Sequence, residues 1–351
     1  MILIKRIFLL ITIVFCFAIL REFIELYNFA FSFHPIAGYL TLASISAALL
    51  YFVGFPLYQI IKLPHTPGPV YDKKDENKLI KVRLENYKKN DYLKEKGFTI
   101  NEEQDRRKSY EDAVQILQIR CDEIRTEYIT KVFYSTAIAQ NGFIDVIFIF
   151  SLTVNLVKDI FILYNGRVSN RNLITIAKQV YISLAVGGSE TTEYAVDEVA
   201  SKLTGDALKS IPFVDTIITS LSDGLVNAVL ITRISFITEN YCIKLVIKDD
   251  RELSPTPKTI LSTASAITSD LIARIKTTLS RISKEKTYEG AKYLVNPTKI
   301  VFEKTIDSIN HNDNISDDEK DKLTGIIKNV NKWANPIGRG LESLLSRKRK
   351  V

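Results

Sequence analysis

A regular polar stripe runs through one of the most apolar stretches of this sequence. In "IPFVDTIITSLSDGLVNAVLITRI", residues 211–234, the polar residues Asp215, Thr219, Asp223 and Asn227 are spaced four apart. On an α-helix that spacing places them on one slowly drifting face. The stripe can be the solvated side of a packed helix, a set of buried hydrogen-bonding groups where membrane helices meet, or the lining of a water-filled path across a membrane.

Residues that could support catalysis are not arranged for it. The histidines His34, His65 and His311 are far apart, and no HExxH motif or Cys/His cluster suggests a metal. The sequence contains neither GxxxxGK[ST] nor GxSxG, so we expect no P-loop. Two acidic pairs belong to an ordinary exposed helix: Glu190 with Glu193, and Asp197 with Glu198. We therefore expect a protein that is not an enzyme and that holds no cofactor and no metal.

Two apolar segments at the start of the chain are predicted to form a membrane hairpin. Residues 39–61 run 23 residues without a charge, which exceeds the ~20 needed to cross a bilayer. Ile7–Phe29 is predicted to be an uncleaved helix, because no small-residue cleavage pattern follows its apolar core. Lys5 and Arg6 precede the first span and Lys62 follows the second, so the positive-inside rule places both ends in the cytoplasm.

The next segments predict a linker and then a bundle. Between Asp72 and Asp112 there are 12 basic and 11 acidic residues, a mixture that indicates an exposed helix lifted off the membrane. The following apolar residues are spaced three and four apart, which predicts an amphipathic helix packed on a partner helix. These residues are Val114, Leu117, Cys121, Ile124 and Tyr128.

Another apolar helix is predicted at Phe143–Tyr164, and Asn165-Gly166 is a natural helix end. Its polar residues would be costly in lipid, which favours a helix inside a bundle. They are Asp145, Asn155, Lys158 and Asp159. Insertion of this segment and of the stripe helix into a membrane remains the alternative.

The net charge of +7 is concentrated at the end of the chain, where residues 254–351 contain 18 Lys and Arg against 11 Asp and Glu. Residues 260–282 predict an amphipathic helix that can lie on an anionic membrane or pack on the bundle. The basic tail, Arg347, Lys348, Arg349 and Lys350, suits an acidic partner or is simply solvated. Nucleic acid is the least favoured of its partners. The three cysteines form no paired framework, so we expect reduced thiols.

Several stretches resemble a known domain: "STAIAQNGFIDVIFIFSLTVNLVKDIFILYNG", "ALKSIPFVDTIITSLSDGLVNAVLITRIS" and "ITENYC". The sequence is similar, over roughly residues 134–247, to a domain of unknown function in YcjF-type bacterial inner-membrane proteins and at the C-terminal end of certain Era-like GTPases. The local features are Asn141-Gly142 with Asp145, Leu163–Gly166, Lys209–Pro212 and Leu230–Arg233. The resemblance implies a separate GTPase-like partner. It also adds Asn141, Asp145 and Arg233 to the polar stripe as candidate partner-binding residues.

Together these patterns predict an all-α protein: a two-helix transmembrane hairpin, a cytoplasmic helical bundle with apolar helices, and a basic helical C-terminal extension. The predicted divisions are 1–62 for the hairpin, 63–112 for the charged linker, 113–250 for the GTPase-associated domain and 251–351 for the extension. We expect a membrane-anchored, non-enzymatic adaptor in the bacterial inner membrane that contacts lipid, binds a GTPase-like partner and can form a homo-oligomer. A membrane-remodelling or pore-forming protein is the alternative.

Overall fold

The computed structural model describes residues 21, 23–63, 66–100, 105–138, 142–164, 166, 193–203, 214–285, 301, 303–305 and 307. Within these ranges the chain is all-helical, as predicted, and its β pairing is a single parallel bridge between Val70 and Val246. The helices are α1 (23–33), α2 (Pro35–Leu49), α3 (Phe55–Lys62), α4 (Glu76–Tyr87), α5 (Asp91–Glu95), α6 (Arg106–Ile138), α7 (Gly142–Leu163), α8 (193–203), α9 (Val214–Ile243) and α10 (Pro257–Glu285).

Helices α1 and α2 meet at a sharp corner. His34 has an extended backbone (φ −164°, ψ 137°), its Nδ1 accepts a hydrogen bond from the Ile36 amide at 3.2 Å, and Pro35 begins the next helix. A Cβ at Gly38 would lie 2.9 Å from the Phe31 Cβ. Only a glycine therefore fits where the two helices approach each other at this corner, and the transmembrane hairpin expected for this segment stays a prediction.

Helix α2 continues into α3 through one π-helical turn, Leu50–Gly54, so residues 35–62 are helical throughout. Pro56 and Ile60 are buried, and α3 packs on α7. Large apolar side chains cover much of the remaining surface: Ile36, Tyr39, Leu40, Leu42, Leu50, Tyr51, Phe55, Leu57, Tyr58 and Ile61. So continuous an apolar exposure is typical of a surface that is covered by another molecule or by lipid.

Helices α6, α7, α9 and α10 form the bundle. Helices α6 and α9 approach closely at Gly224, where an added Cβ would lie 2.8 Å from the Phe133 carbonyl oxygen. The predicted apolar face of α6 is confirmed, since Leu117, Cys121, Ile124 and Tyr128 are all buried. This packing fixes α9 and therefore decides which of its faces reaches the surface.

Helix α4 lies in the segment that was predicted to be an exposed linker, yet it packs on α6. Its inner face consists of buried side chains at helical spacing: Leu79, Ile80, Arg83, Leu84 and Tyr87. The charged residues Lys78, Lys81 and Glu85 are exposed on the opposite side of the helix, so the charge count concealed an amphipathic helix.

Helix α10 begins close to its predicted start and packs on α9 and α6. The predicted apolar face is buried at Ile260, Ala264, Leu271, Ile275 and Leu279. The sequence allowed this helix either to lie on an anionic membrane or to pack on the bundle, and in the structure it packs on the bundle. The Lys202 ammonium of α8 donates a hydrogen bond to the Ser265 hydroxyl of α10 at 3.2 Å, which ties those helices together.

Candidate functional site

The polar stripe of α9 lies on the surface of the bundle. Asp215, Thr219 and Asp223 are exposed and Asn227 is partly exposed, while 16 residues of the same helix are buried. The Thr219 hydroxyl donates to the Asp215 carbonyl at 2.9 Å, and the Asn227 amide donates to the Asp223 carbonyl at 3.1 Å. These polar groups are therefore satisfied within their own helix, and the two carboxylates remain available to a partner.

The carboxyl of Asp223 is partly desolvated. Although the residue is exposed, the neighbouring helix surface partly removes water from its carboxyl, and this desolvation raises the pKa of Asp223. A basic group of a partner would offset that cost, because an opposite charge stabilises the ionised form. The stripe thus combines fixed geometry with a carboxylate suited to a basic partner.

The other predicted site residues do not all fall within the described residues. Arg233 lies two turns further along α9, half-buried, where desolvation lowers its pKa. Lys62 is exposed in the last turn of α3. Asp145 is the fourth residue of α7, and its side chain is not among those that the structure describes. The remaining predicted positions are also outside the described residues: Lys5, Arg6, Asn141, Arg347, Lys348, Arg349 and Lys350.

A buried ion pair, not anticipated from the sequence, joins α6 to the C-terminal half of α9. Arg125 and Glu239 pair with side chains that are 4% and 5% exposed. The Arg125 Nε also donates to the Ser235 hydroxyl at 2.8 Å, and its guanidinium lies 3.8 Å from the centre of the Phe236 ring. The Tyr164 hydroxyl donates to Glu239 at 3.3 Å, so α7 is joined as well. This network specifies how three helices pack.

Desolvation dominates the electrostatics of that network. Burial raises the pKa of Glu239, although Arg125 acts in the opposite direction. Burial also raises the pKa of Cys121, and it raises that of Cys242 to about 12. Both cysteines are buried free thiols, so they remain protonated and unreactive at neutral pH.

A second buried network holds α4 against the end of α9. Arg83 is 1% exposed, and its guanidinium donates to the carbonyls of Lys244 at 3.0 Å and Tyr241 at 3.1 Å, and to the Tyr110 hydroxyl at 2.8 Å. Tyr110 in turn donates to the Ile243 carbonyl at 2.7 Å. The last carbonyls of a helix have no partners within it and carry its negative dipole end. The Arg83 guanidinium donates to these carbonyls and places a positive charge at the negative end of the helix, so Arg83 acts as the C-terminal cap of α9.

The ends of the helices around this network also meet. The Asn90 side-chain amide donates to the Leu163 carbonyl at the end of α7, at 2.6 Å, and its oxygen accepts from the Leu93 amide. Thr66 and Pro67, Tyr164, and Tyr241 line one small cavity. The segment after α3 therefore reaches the C-terminal ends of both α7 and α9.

Within the part of the chain that the structure describes, no group of three or more His, Cys, Asp or Glu side chains is placed to hold a metal ion. Among the same residues, α9 is the one helix of 18 residues or more that is apolar enough to cross a membrane, and Pro35–Ala47 is a shorter apolar helix. Length and composition alone do not distinguish a membrane helix from the core helix of a bundle.

Comparison with known proteins gives one family. Residues 109–266 match the family described as Domain of unknown function (DUF697), a range that runs from the start of α6 into the first turns of α10. Neither the curated proteins nor the solved structures contain a match. The stripe, the Arg125–Glu239 pair and the Gly224 contact all lie inside the matched range, so the described bundle is the part of the chain that is similar to this family.

Proposed function

We propose that this protein is a membrane-anchored, non-enzymatic adaptor of the bacterial inner membrane, whose helical bundle binds a GTPase-like partner in the cytoplasm. The observation that carries the proposal is the exposed polar stripe on a helix that is otherwise packed in the bundle. The type of partner follows from the resemblance to the domain that YcjF-type proteins share with Era-like GTPases.

The stripe supports a protein-binding role through its rigidity and charge. Helices α6 and α7 hold α9 in place through the Gly224 contact and the Arg125–Glu239 network. A preorganised surface loses little entropy on binding. Its two exposed carboxylates, Asp215 and Asp223, would attract a basic patch and guide its orientation.

The N-terminal helices support anchoring. The extended backbone at His34 separates two helices, and residues 35–62 form a helix with ten large exposed apolar side chains. Twenty residues of helix are enough for the ~30 Å of hydrocarbon in a bilayer. Lipid is therefore the partner that best fits this surface, and the positive-inside rule favours a cytoplasmic bundle.

The alternative, a membrane-remodelling or pore-forming protein, is supported by the length and hydropathy of α9. Insertion of α9 alone would have to separate it from α6. That would break the buried Arg125–Glu239 pair and leave both charges without their partner, at a cost of about 3–5 kcal/mol for each partner lost. The packed bundle therefore favours the adaptor.

Purification of the intact chain from bacterial membranes in mild detergent, with and without GTP, tests the adaptor. We expect a GTP-hydrolysing protein to co-purify with the wild type. Asp223→Lys should lose most of that activity, because it places a repulsive charge on the stripe. Asp91→Lys is the matched control, since Asp91 is fully exposed on α5, away from the stripe. Absence of any hydrolysing partner, or equal recovery with both variants, would contradict the proposal.

A further inference from the structure

The end of the predicted membrane helix is part of the core of the bundle. Ile60 is 4% exposed and belongs to the same hydrophobic cluster as Leu156 and Ile160 of α7. Both α3 and the π-helical turn before it contact α7. No free linker therefore separates the apolar N-terminal helices from the bundle.

Helices α3 and α7 run in the same direction. Thr66 and Pro67, just after α3, line a cavity with Tyr164 at the end of α7, so the C-terminal ends of the two helices lie together. The turn Leu50–Gly54, which precedes α3, also touches α7. Contact at both places requires the two helices to be roughly parallel.

Parallel packing sets the level of α7 residues relative to the membrane helix. At 1.5 Å per residue, Leu50 lies about 18 Å before Lys62, and Phe150 lies about 20 Å before Leu163. Phe150 is therefore level with Leu50, which is the midpoint of the uncharged stretch 39–61. Its side chain is 50% exposed, and the large exposed side chains of the helix at residues 35–62 are apolar.

Between Phe150 and Asn155, the described polar residues of α7 are compatible with lipid on its outer face. The Thr153 hydroxyl donates to the Ile149 carbonyl at 2.6 Å, and the Asn155 amide donates to the Ser151 carbonyl at 2.9 Å, so neither group requires water. The first charged residues towards the C-terminus are Lys158 and Asp159, which pair at 3.3 Å. They lie about 6–8 Å before the level of Lys62, where the bilayer would end.

We propose that bilayer lipid covers the outer face of α7 around Phe150, so that the bundle is embedded on its α7 side and exposes the α9 stripe to water. This inference rests on the proposed anchoring of residues 35–62. It assigns α7 as a third lipid-contacting helix, in continuity with α2 and α3, whereas a tethered domain on a linker would make no such contact.

Quenching by brominated lipids tests this contact in the full chain. Single cysteines at Leu42, Phe150 and Thr219 are labelled in detergent with an environment-sensitive fluorophore, in a chain with Cys16→Ser. Cys121 and Cys242 can stay, because both are buried. After reconstitution into phosphatidylcholine–phosphatidylglycerol vesicles, quenching by brominated acyl chains is compared with quenching by aqueous iodide. Leu42 is the anchor control, and Thr219 is the control on the stripe.

We expect the Phe150→Cys label to be quenched by brominated chains about as strongly as the Leu42→Cys label, while iodide quenches only the Thr219→Cys label. A second probe, Ile162→Cys, lies about 18 Å further along α7 and should show weaker lipid quenching than Phe150→Cys. If Leu42 is quenched by lipid but Phe150 and Ile162 behave like Thr219, the inference is wrong and the anchor stands. If Leu42 is not quenched, the anchor itself fails. Lipid quenching at Thr219 would overturn the water-facing stripe.

Discussion

At the level of single residues, two buried arginines hold the bundle together, and neither could be identified from the sequence. Arg125 and Arg83 occur in segments rich in exposed charges, where one more arginine carries no distinguishing signal. Their roles depend on partners more than 100 residues away, Glu239 for Arg125 and the end of α9 for Arg83. The stripe, in contrast, could be predicted, because its four residues are spaced four apart within one segment of the sequence.

Removal of Arg125 should be severely destabilising. Arg125→Met leaves the Glu239 carboxylate buried without its cation, and we expect a loss of about 3–5 kcal/mol in the free energy of unfolding. Arg120→Met on the same helix is the control, because the Arg120–Glu123 pair is exposed and worth below about 1 kcal/mol. Denaturant unfolding in detergent, followed by circular dichroism, measures both. Similar losses for the two variants would show that the buried pair is not a structural centre.

The pH dependence of stability should carry the signature of Glu239. Because desolvation raises its folded pKa, the folded state binds this proton more tightly than the unfolded state does. The stability that it contributes is therefore present below the ordinary carboxyl range and is lost as the pH rises through the folded pKa. We expect wild type to lose stability relative to Glu239→Gln across that window. A difference that grows in favour of wild type with rising pH would mean that Arg125 lowers the pKa instead.

Arg83→Lys should loosen the end of α9. A lysine ammonium cannot reach all the oxygens that the guanidinium fork joins, and each buried carbonyl left without a donor costs about 1–3 kcal/mol. Amide hydrogen exchange should accelerate between Tyr241 and Ile247, where the last turn and the bridge to Val70 depend on the cap. Lys81→Met, an exposed neighbour on α4, should leave exchange there unchanged. Equal protection in the two variants would exclude the capping role.

At the level of the elements, the sequence predicts most helices but not what they pack against. Spacing identified α6 and α9 and placed the inner face of α10 correctly, while apolar length and a helix-end motif identified α7. The expectation that the segment of α4 is exposed was wrong: its charged residues are as many as its apolar ones, yet four apolar side chains at helical spacing are buried. Periodicity within that helix would have been the better guide than composition. Whether α10 lies on lipid or on the bundle depends on contacts that are distant in sequence, so no local pattern could decide it.

The contact between α6 and α9 predicts an unusual effect at Gly224. In an exposed helix, Gly→Ala usually stabilises by about 0.5–1 kcal/mol. At position 224 the new Cβ would lie 2.8 Å from the Phe133 carbonyl oxygen, which cannot rotate away. We expect Gly224→Ala to destabilise by about 1–3 kcal/mol, measured as a lower thermal midpoint. Ser220→Ala, one turn earlier on α9 and partly exposed, should change the midpoint little. A Gly224→Ala variant more stable than wild type would exclude tight packing.

At the level of the whole molecule, the apolar helix at residues 35–62 and the bundle form one continuous structure. Ile60 joins the core, α4 caps α9 through Arg83, and α5 caps α7 through Asn90. The adaptor would therefore present its stripe at a fixed position relative to the membrane, whereas a flexible tether would leave it free to search. That geometry limits which face of a partner can bind.

Labelling of cysteines in membrane vesicles tests the central claim, an anchored chain with a cytoplasmic stripe, most directly. The full chain carries Thr219→Cys or Leu42→Cys and is exposed to a membrane-impermeant maleimide in right-side-out or inside-out vesicles. We predict that Thr219→Cys reacts only in inside-out vesicles and that Leu42→Cys reacts in neither until detergent is added. Reaction of Thr219→Cys from the outside, or its protection in both orientations, would place the stripe across or within the membrane and contradict the adaptor.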